Sequence, residues 1–134
     1  MQTFGPRMQI AIAVPDALAA SMTITEAPVP QPVTGFALLD TGASNTSIDE
    51  ATATALGLPV VDTIQMATPS TTQTHNVYPA RLAFPGTHLP PIAFIRVAGV
   101  SLANQGIIAL LGRDFLAGKV LHYDGATFSV MLSW

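Results

Sequence analysis

The sequence predicts a mainly β domain with two short helices and one projecting hairpin, on three observations. Near the amino end Met8, Ile10, Ile12 and Val14 alternate with Gln9, Ala11 and Ala13, the period of a half-buried strand. Two wholly apolar runs, residues 36–39 and 107–111, each end at a glycine-containing turn. Asp124-Gly125, between two strand-like segments, is a strong hairpin signal.

In chain order, the first strand covers residues 8–14. Arg7 is the only early cation and Pro15-Asp16 interrupts the run, so it reads as a strand and not as a secretory leader, and the chain is expected to be cytoplasmic. Residues 15–34 form a loop in which Asp16 caps one helical turn through Ala20, because Pro28, Pro30 and Pro32 forbid a continuous element. Residues 36–39 make a buried strand that runs into Asp40-Thr41-Gly42. Asp49 caps a helix through Leu56, and Gly57 with Pro59 stops it. Strands follow over residues 60–67 and 75–84, the second with Tyr78, Ala80, Leu82 and Phe84 on one face. The polar, uncharged stretch between them, residues 68–74, is the tip of the projecting hairpin. Pro85-Gly86 turns the chain into a strand at residues 92–97. The run 107–111 leads into a short helix at 113–117 closed by Gly118, and strands at 119–123 and 127–133 complete the chain.

Composition narrows the function. The length of 134 residues with no internal repeat or shift in composition fits a single domain, residues 1–134. Without cysteine there is no disulfide, thiolate metal site or cysteine nucleophile. Five Lys+Arg against eight Asp+Glu leave no basic face, so nucleic acid and anionic membrane are not expected partners. Mean hydropathy is +0.46, yet no stretch approaches the roughly 20 unbroken apolar residues of a spanning helix. So apolar a chain with only 10% charged residues points to surface covered by another subunit.

Two segments share one design of apolar strand, glycine turn and short helix. They are Ala37-Leu38-Leu39-Asp40-Thr41-Gly42-Ala43-Ser44 and Ala109-Leu110-Leu111-Gly112-Arg113-Asp114-Phe115-Leu116. The first sets a carboxylate at the end of a buried strand, where water is expected to be scarce. Gly42 lets backbone approach that carboxylate, and the Thr41 hydroxyl can lock the turn. These residues resemble the retropepsin group of aspartic proteases: Leu-Leu-Asp-Thr-Gly-Ala-Ser followed by Ala-Leu-Leu-Gly-Arg-Asp, with a flap-like hairpin between them.

The resemblance implies a retropepsin-like acid protease fold and an aspartic endopeptidase. Its catalytic residues would be Asp40, Thr41 and Gly42, and Gly112, Arg113 and Asp114 would form the structural second motif. Ala43, Ser44, Thr71, Thr72 and Gln73 would border a peptide or unfolded-protein substrate lying extended beneath the hairpin. This chemistry needs no cofactor or metal. It needs two carboxylates, and the chain has only one such motif: Asp62-Thr63 lacks the glycine, and Asp124-Gly125 fits a turn. A C2 homodimer is therefore expected, with Asp40 facing its mate and Thr41 bonding across the axis.

Two features depart from the retroviral pattern. The hairpin tip has no glycine, and Ser44 stands where an acid commonly pairs with the arginine of the second motif, so Arg113 must find another partner or a weaker bond; Asp49 and Asp114 are candidates for the partner. Tyr78 is expected to pack on the sheet. His75, His88 and His122 lack metal-ligand spacing. Trp134 either closes the core or joins a terminal sheet between subunits. The rival function is a catalytically idle dimerisation or peptide-binding module with the same fold. A phosphotransferase would want a second carboxylate and a lysine beside Asp40, which this sequence does not offer.

Overall fold

In the computed structural model, which describes residues 6–67, 69–126 and 129–133, the alternating amino-terminal pattern forms β1 (Arg7–Ala13), with Ile10 and Ile12 fully buried. β1 pairs antiparallel with β2 (Val33–Leu39). β2 begins at Val33, ahead of the expected Phe36, because Val33 and Thr34 find partners in Ile12 and Ala11. Between the two strands lies α1 (Asp16–Ile24), nine residues long where one turn is expected. Its Ala-Leu-Ala-Ala run favours propagation, and the nearest proline that could stop it is Pro28. Pro15, not Asp16, occupies the cap position, and the Pro15 carbonyl accepts the Ala19 N–H at 2.9 Å. With three helices in place of two, α1 is the element that sequence pattern undercounts: none of its residues is fully buried, so no apolar stripe announces it.

β3 (Ser47–Asp49) leads into α2 (Glu50–Ala55). Asp49 caps this helix as expected: its Oδ2 accepts the Thr52 N–H at 3.2 Å, and its Oδ1 accepts the Leu102 N–H at 3.0 Å. Gly57, at φ +66°, ends it. β4 (Asp62–Ala67) and β5 (Thr72–Ala83) make the projecting hairpin. The turn is shorter than expected. Thr72, Gln73 and Thr74 already pair with Ala67, Met66 and Gln65, since threonine suits a strand better than a loop.

β6 (Ile92–Val100) runs past the expected Val97, because Ser47, Ile48 and Asp49 of β3 pair in parallel with Ala98, Gly99 and Val100. β7 (Ala109–Leu111), α3 (Arg113–Leu116) and the hairpin of β8 (Val120–Asp124) with β9 (Ser129–Ser133) complete the chain. Asp124 pairs with Ser129. The expectations for Thr68, Phe128 and Trp134 fall outside the described residues.

The main sheet has the order β1-β2-β7-β3-β6-β5-β4, and a further pairing joins β1 to β5. Six strands thus close on themselves, with β4 outside the ring. Ile10, Ile12, Ile48, Leu82, Val97 and Leu111 fill the interior, and the Phe115 ring on α3 meets Phe84 at 5.2 Å. Leu121 and Leu132, cross-strand partners in the β8–β9 hairpin, pack on this core. No described helix is long and apolar enough to cross a membrane.

The base of the projecting hairpin is tied to α2. The Tyr78 hydroxyl donates to Glu50 Oε1 at 2.7 Å, and Asn76 Nδ2 donates to the same oxygen at 3.3 Å. Tyr78 packs in the sheet as expected, 3% exposed. Gly99 makes room for the pair: a Cβ there would collide with Glu50 Oε2 and lie 2.8 Å from the Tyr78 ring. Burial, then the bond to Glu50, raise the Tyr78 pKa above its ordinary 10.0. The folded state thus keeps a proton that the unfolded chain releases. The contribution is complete below about pH 10 and is lost as the pH climbs through the folded value.

Tyr78→Phe should therefore lower stability by about 1–3 kcal/mol in urea unfolding at neutral pH, since it strips a donor from a partly buried carboxylate. The gap between variant and native protein should narrow in alkaline buffer; a constant gap from pH 7 to 11 would contradict this account.

Candidate active site

β2 and β7 lie parallel and in register, Leu39 opposite Leu111, so their glycine turns leave the sheet side by side. The Asp40 N–H donates to the Leu111 carbonyl at 2.9 Å, which carries the pairing one residue beyond the strands. Asp40 then folds back on its own turn. Its Oδ1 accepts the Gly42 N–H at 2.9 Å, and its carbonyl accepts the Ala43 N–H at 3.2 Å. A Cβ on Gly42 would come to 3.2 Å from that Oδ1, so glycine gives the carboxylate room. Asp40 is half-buried, and Thr41 and Gly42 are exposed. The dry setting expected from the strand's end is therefore not complete within one chain, because the turn itself faces solvent.

Four hydrogen bonds run from Arg113 and Asp114 of the second turn to residues 41–44 of the first. Two are backbone bonds: Arg113 N–H to the Ala43 carbonyl at 2.8 Å, and Asp114 N–H to the Ser44 carbonyl at 3.3 Å. Two come from the guanidinium: Arg113 Nη1 to the Thr41 carbonyl at 2.9 Å, and Nη2 to Ser44 Oγ at 2.7 Å. Neither expected alternative partners Arg113. Asp49 is occupied at the α2 cap, and Asp114 accepts the Thr46 N–H at 3.0 Å and the Thr46 hydroxyl at 2.7 Å. Ser44 itself takes the place of the acid, because the backbone bonds bring its short hydroxyl within reach.

Thr46 is the residue that sequence reading misses. It is 1% exposed, and its hydroxyl both donates to Asp114 Oδ1 and accepts the Gly112 N–H at 3.2 Å. The available signal was Asp114 in the first turn of a four-residue helix, an acceptor that needs donors from outside so short an element. Gly112 is packed against the other turn, where a Cβ would lie 2.7 Å from the Asn45 carbonyl carbon and oxygen and 2.9 Å from the Ala43 oxygen.

A groove of about 520 Å³ runs from the first motif towards the projecting hairpin. Residues 43–47 form one wall; Ile64 and Met66 of β4, with Val77 and Ala98, form the apolar wall, and Arg96 lies at its edge. Of the residues expected to border substrate, Ala43 and Ser44 line this groove, and Thr71, Thr72 and Gln73 do not. Gln73 is opposite Met66 and shares its face, whereas Thr72 is opposite Ala67 on the other. Ile64, Met66 and Arg96 were not singled out from the sequence, although the alternation Ile64-Gln65-Met66 marks a one-sided strand.

Arg96 Nη2 meets Asp62 Oδ2 at 2.8 Å, both side chains about half exposed. The hydrogen bond from Arg96, helped by the Thr63 N–H and the positive charge of Arg96, holds the Asp62 carboxyl below its usual range. His75 Nδ1 lies 3.0 Å from the Gly99 carbonyl. Among the described residues no three potential metal-ligating side chains converge.

Comparison with known proteins agrees with this geometry. Residues 31–118, roughly two-thirds of the chain and both motifs, match the family described as gag-polyprotein putative aspartyl protease. No curated protein matches the chain. The chain belongs to this retropepsin-like family of aspartic proteases.

Thr46→Val keeps the shape of the side chain and deletes both bonds of its hydroxyl. It should cost about 1–3 kcal/mol, read as an earlier urea midpoint at unchanged slope. Gly112→Ala should cost at least as much, because the obstructing atoms are backbone. Native stability in both variants would mean that the two turns hold together without this contact.

Proposed function

We propose that this member of the retropepsin-like family is a homodimeric aspartic endopeptidase, formed by residues 1–134 as one domain from each copy. The observation that carries the reading is the Asp40 carboxylate, fixed at the end of β2 by its own turn and open on the side where Thr41 and Gly42 are exposed. A second copy related by a two-fold axis would bring its Asp40 to that open side, and Thr41 would hydrogen-bond across the axis.

Hydrolysis of a peptide needs one group to take a proton from water and another to give one to the carbonyl oxygen. Two carboxylates about 3 Å apart cannot both ionise readily, so they share one proton, as aspartic proteases do as a class. In that arrangement the ionised Asp40 takes the water proton as the oxygen attacks the carbonyl carbon. The protonated one gives its proton to the carbonyl oxygen, so a gem-diol forms. Transfer of a proton to the amide nitrogen then lets the C–N bond break, leaving a carboxyl and an amine. The pair titrates as a unit, and neither carboxylate is permanently acid or base. The Gly42 N–H on Oδ1 fixes the plane of the carboxylate. Substrate would lie extended in the groove, with the β4–β5 hairpin folding over it as a flap.

Purified protein incubated with unfolded protein at pH 4 to 6 should release peptides, and a pepstatin-type inhibitor should block the release. Asp40→Asn should lower the rate at least about 100-fold with the fold retained. A folded dimer that cuts nothing in this range would leave the non-catalytic peptide-binding module as the reading.

Specific activity should fall on dilution, since one chain holds half the dyad. It should also decline as the pH rises and the shared proton is lost. Activity independent of concentration, or a rate climbing steadily from pH 5 to 9, would refute the mechanism.

A further inference from the structure

The groove beside Asp40 is lined by one charged side chain, Arg96. Asp62 binds its Nη2 but does not line the groove itself. The other guanidinium nitrogens, Nε and Nη1, make no hydrogen bond to a described residue. Arginine offers five N–H donors in a rigid fork, so a guanidinium anchored at one corner can still receive a second carboxylate. Asp62 thus acts from behind, holding the fork at the edge of a cavity whose adjoining wall is Ile64, Met66, Val77 and Ala98.

Resting on the protease reading above, we infer that Arg96 makes this groove selective for a glutamate side chain of the substrate, with Asp62 positioning the guanidinium. The two methylenes of glutamate suit the apolar wall, and its carboxylate suits the free donors of Arg96. Leucine would satisfy only the wall and leave those donors facing an apolar group. Glutamine would offer one acceptor oxygen and no charge. Because Arg96 is half exposed, solvent screens the attraction, and the selectivity should be modest: about three- to tenfold in affinity for glutamate over glutamine.

The test uses the intact native protein and fluorescein-labelled hexapeptides with statine at the centre, carrying Glu, Gln or Leu in each flanking position in turn. Binding is read by anisotropy at pH 6.5, where free glutamate is ionised, so the measurement does not depend on turnover. At one position the Glu peptide should bind three- to tenfold more tightly than the Gln peptide. Arg96→Met should bring that ratio to one while leaving the Leu peptide within about twofold. Arg96→Lys should keep part of the preference, because charge survives and the fork does not. Uniform binding with no preference for glutamate, or a preference that persists in Arg96→Met, would overturn the inference while leaving the protease reading intact. Binding by none of the peptides to the folded protein would instead remove the protease reading, and this inference with it.

Discussion

The arrangement depends on a single contact between two turns that are distant in sequence. The Thr46 hydroxyl stands between the Gly112 N–H and the Asp114 carboxylate, and both oxygens of that carboxylate are turned towards Thr46. Around it, Arg113 and Asp114 donate backbone N–H groups to Ala43 and Ser44, and the guanidinium closes the far side. Asp40 belongs to the turn so held. Gly112, whose missing side chain allows the Asn45 backbone to come against it, lets the second turn close on the first. A carboxylate that must meet another group in a defined geometry gains from support of this kind, because misplacement of about 1 Å costs rate steeply.

The parts of this design that show in the sequence are those that interrupt a pattern. Asp40 and Arg113 stand out because each follows an apolar run across a glycine turn, and Asp49 because it precedes a run of helix formers. Thr46 follows Asn45 inconspicuously, and its partners Gly112 and Asp114 lie far along the chain. The same holds for Arg96 and Asp62, which meet from β6 and β4 on either side of β5. Pairings between elements that are not neighbours in the chain leave no local signature. The fold was legible to a similar depth. Strand existence followed from alternation and from the apolar runs, whereas the start of β2 and the end of β6 were decided by partners in β1 and β3. The helix α1 escaped because it rests on the core through only Leu18 and Ala19.

Closing the ring of six strands has a consequence for the hairpin. β5 pairs with β6 along its second half and with β1 near its end, so its first half is free to carry β4 away from the ring. Asn76 and Tyr78 anchor the base of that projection to Glu50, on the face opposite the groove. Ile64 and Met66 can then overhang the groove from a strand paired only with β5. A tied base and a singly paired outer strand suit the proposed role of this hairpin as a cover over substrate.

The chain's other acids bear on why one copy would be insufficient under the proposed mechanism. Asp114 is in the adjacent turn, but its oxygens accept from Thr46 and from the Phe115 N–H. Both Asp49 oxygens are taken at the head of α2. Glu50 is held by Tyr78 and Asn76, Asp62 by Arg96, and Asp16 pairs with Arg81. A lone Asp40 could accept a proton from water but would have no acidic neighbour to supply one to the carbonyl oxygen. No described acid near the motif can fill that role without giving up bonds that hold the turns or the helix in place. Under the proposed mechanism the second carboxylate would come from outside the chain, and a symmetric copy would supply it in the same strand-end setting with no further residue to evolve.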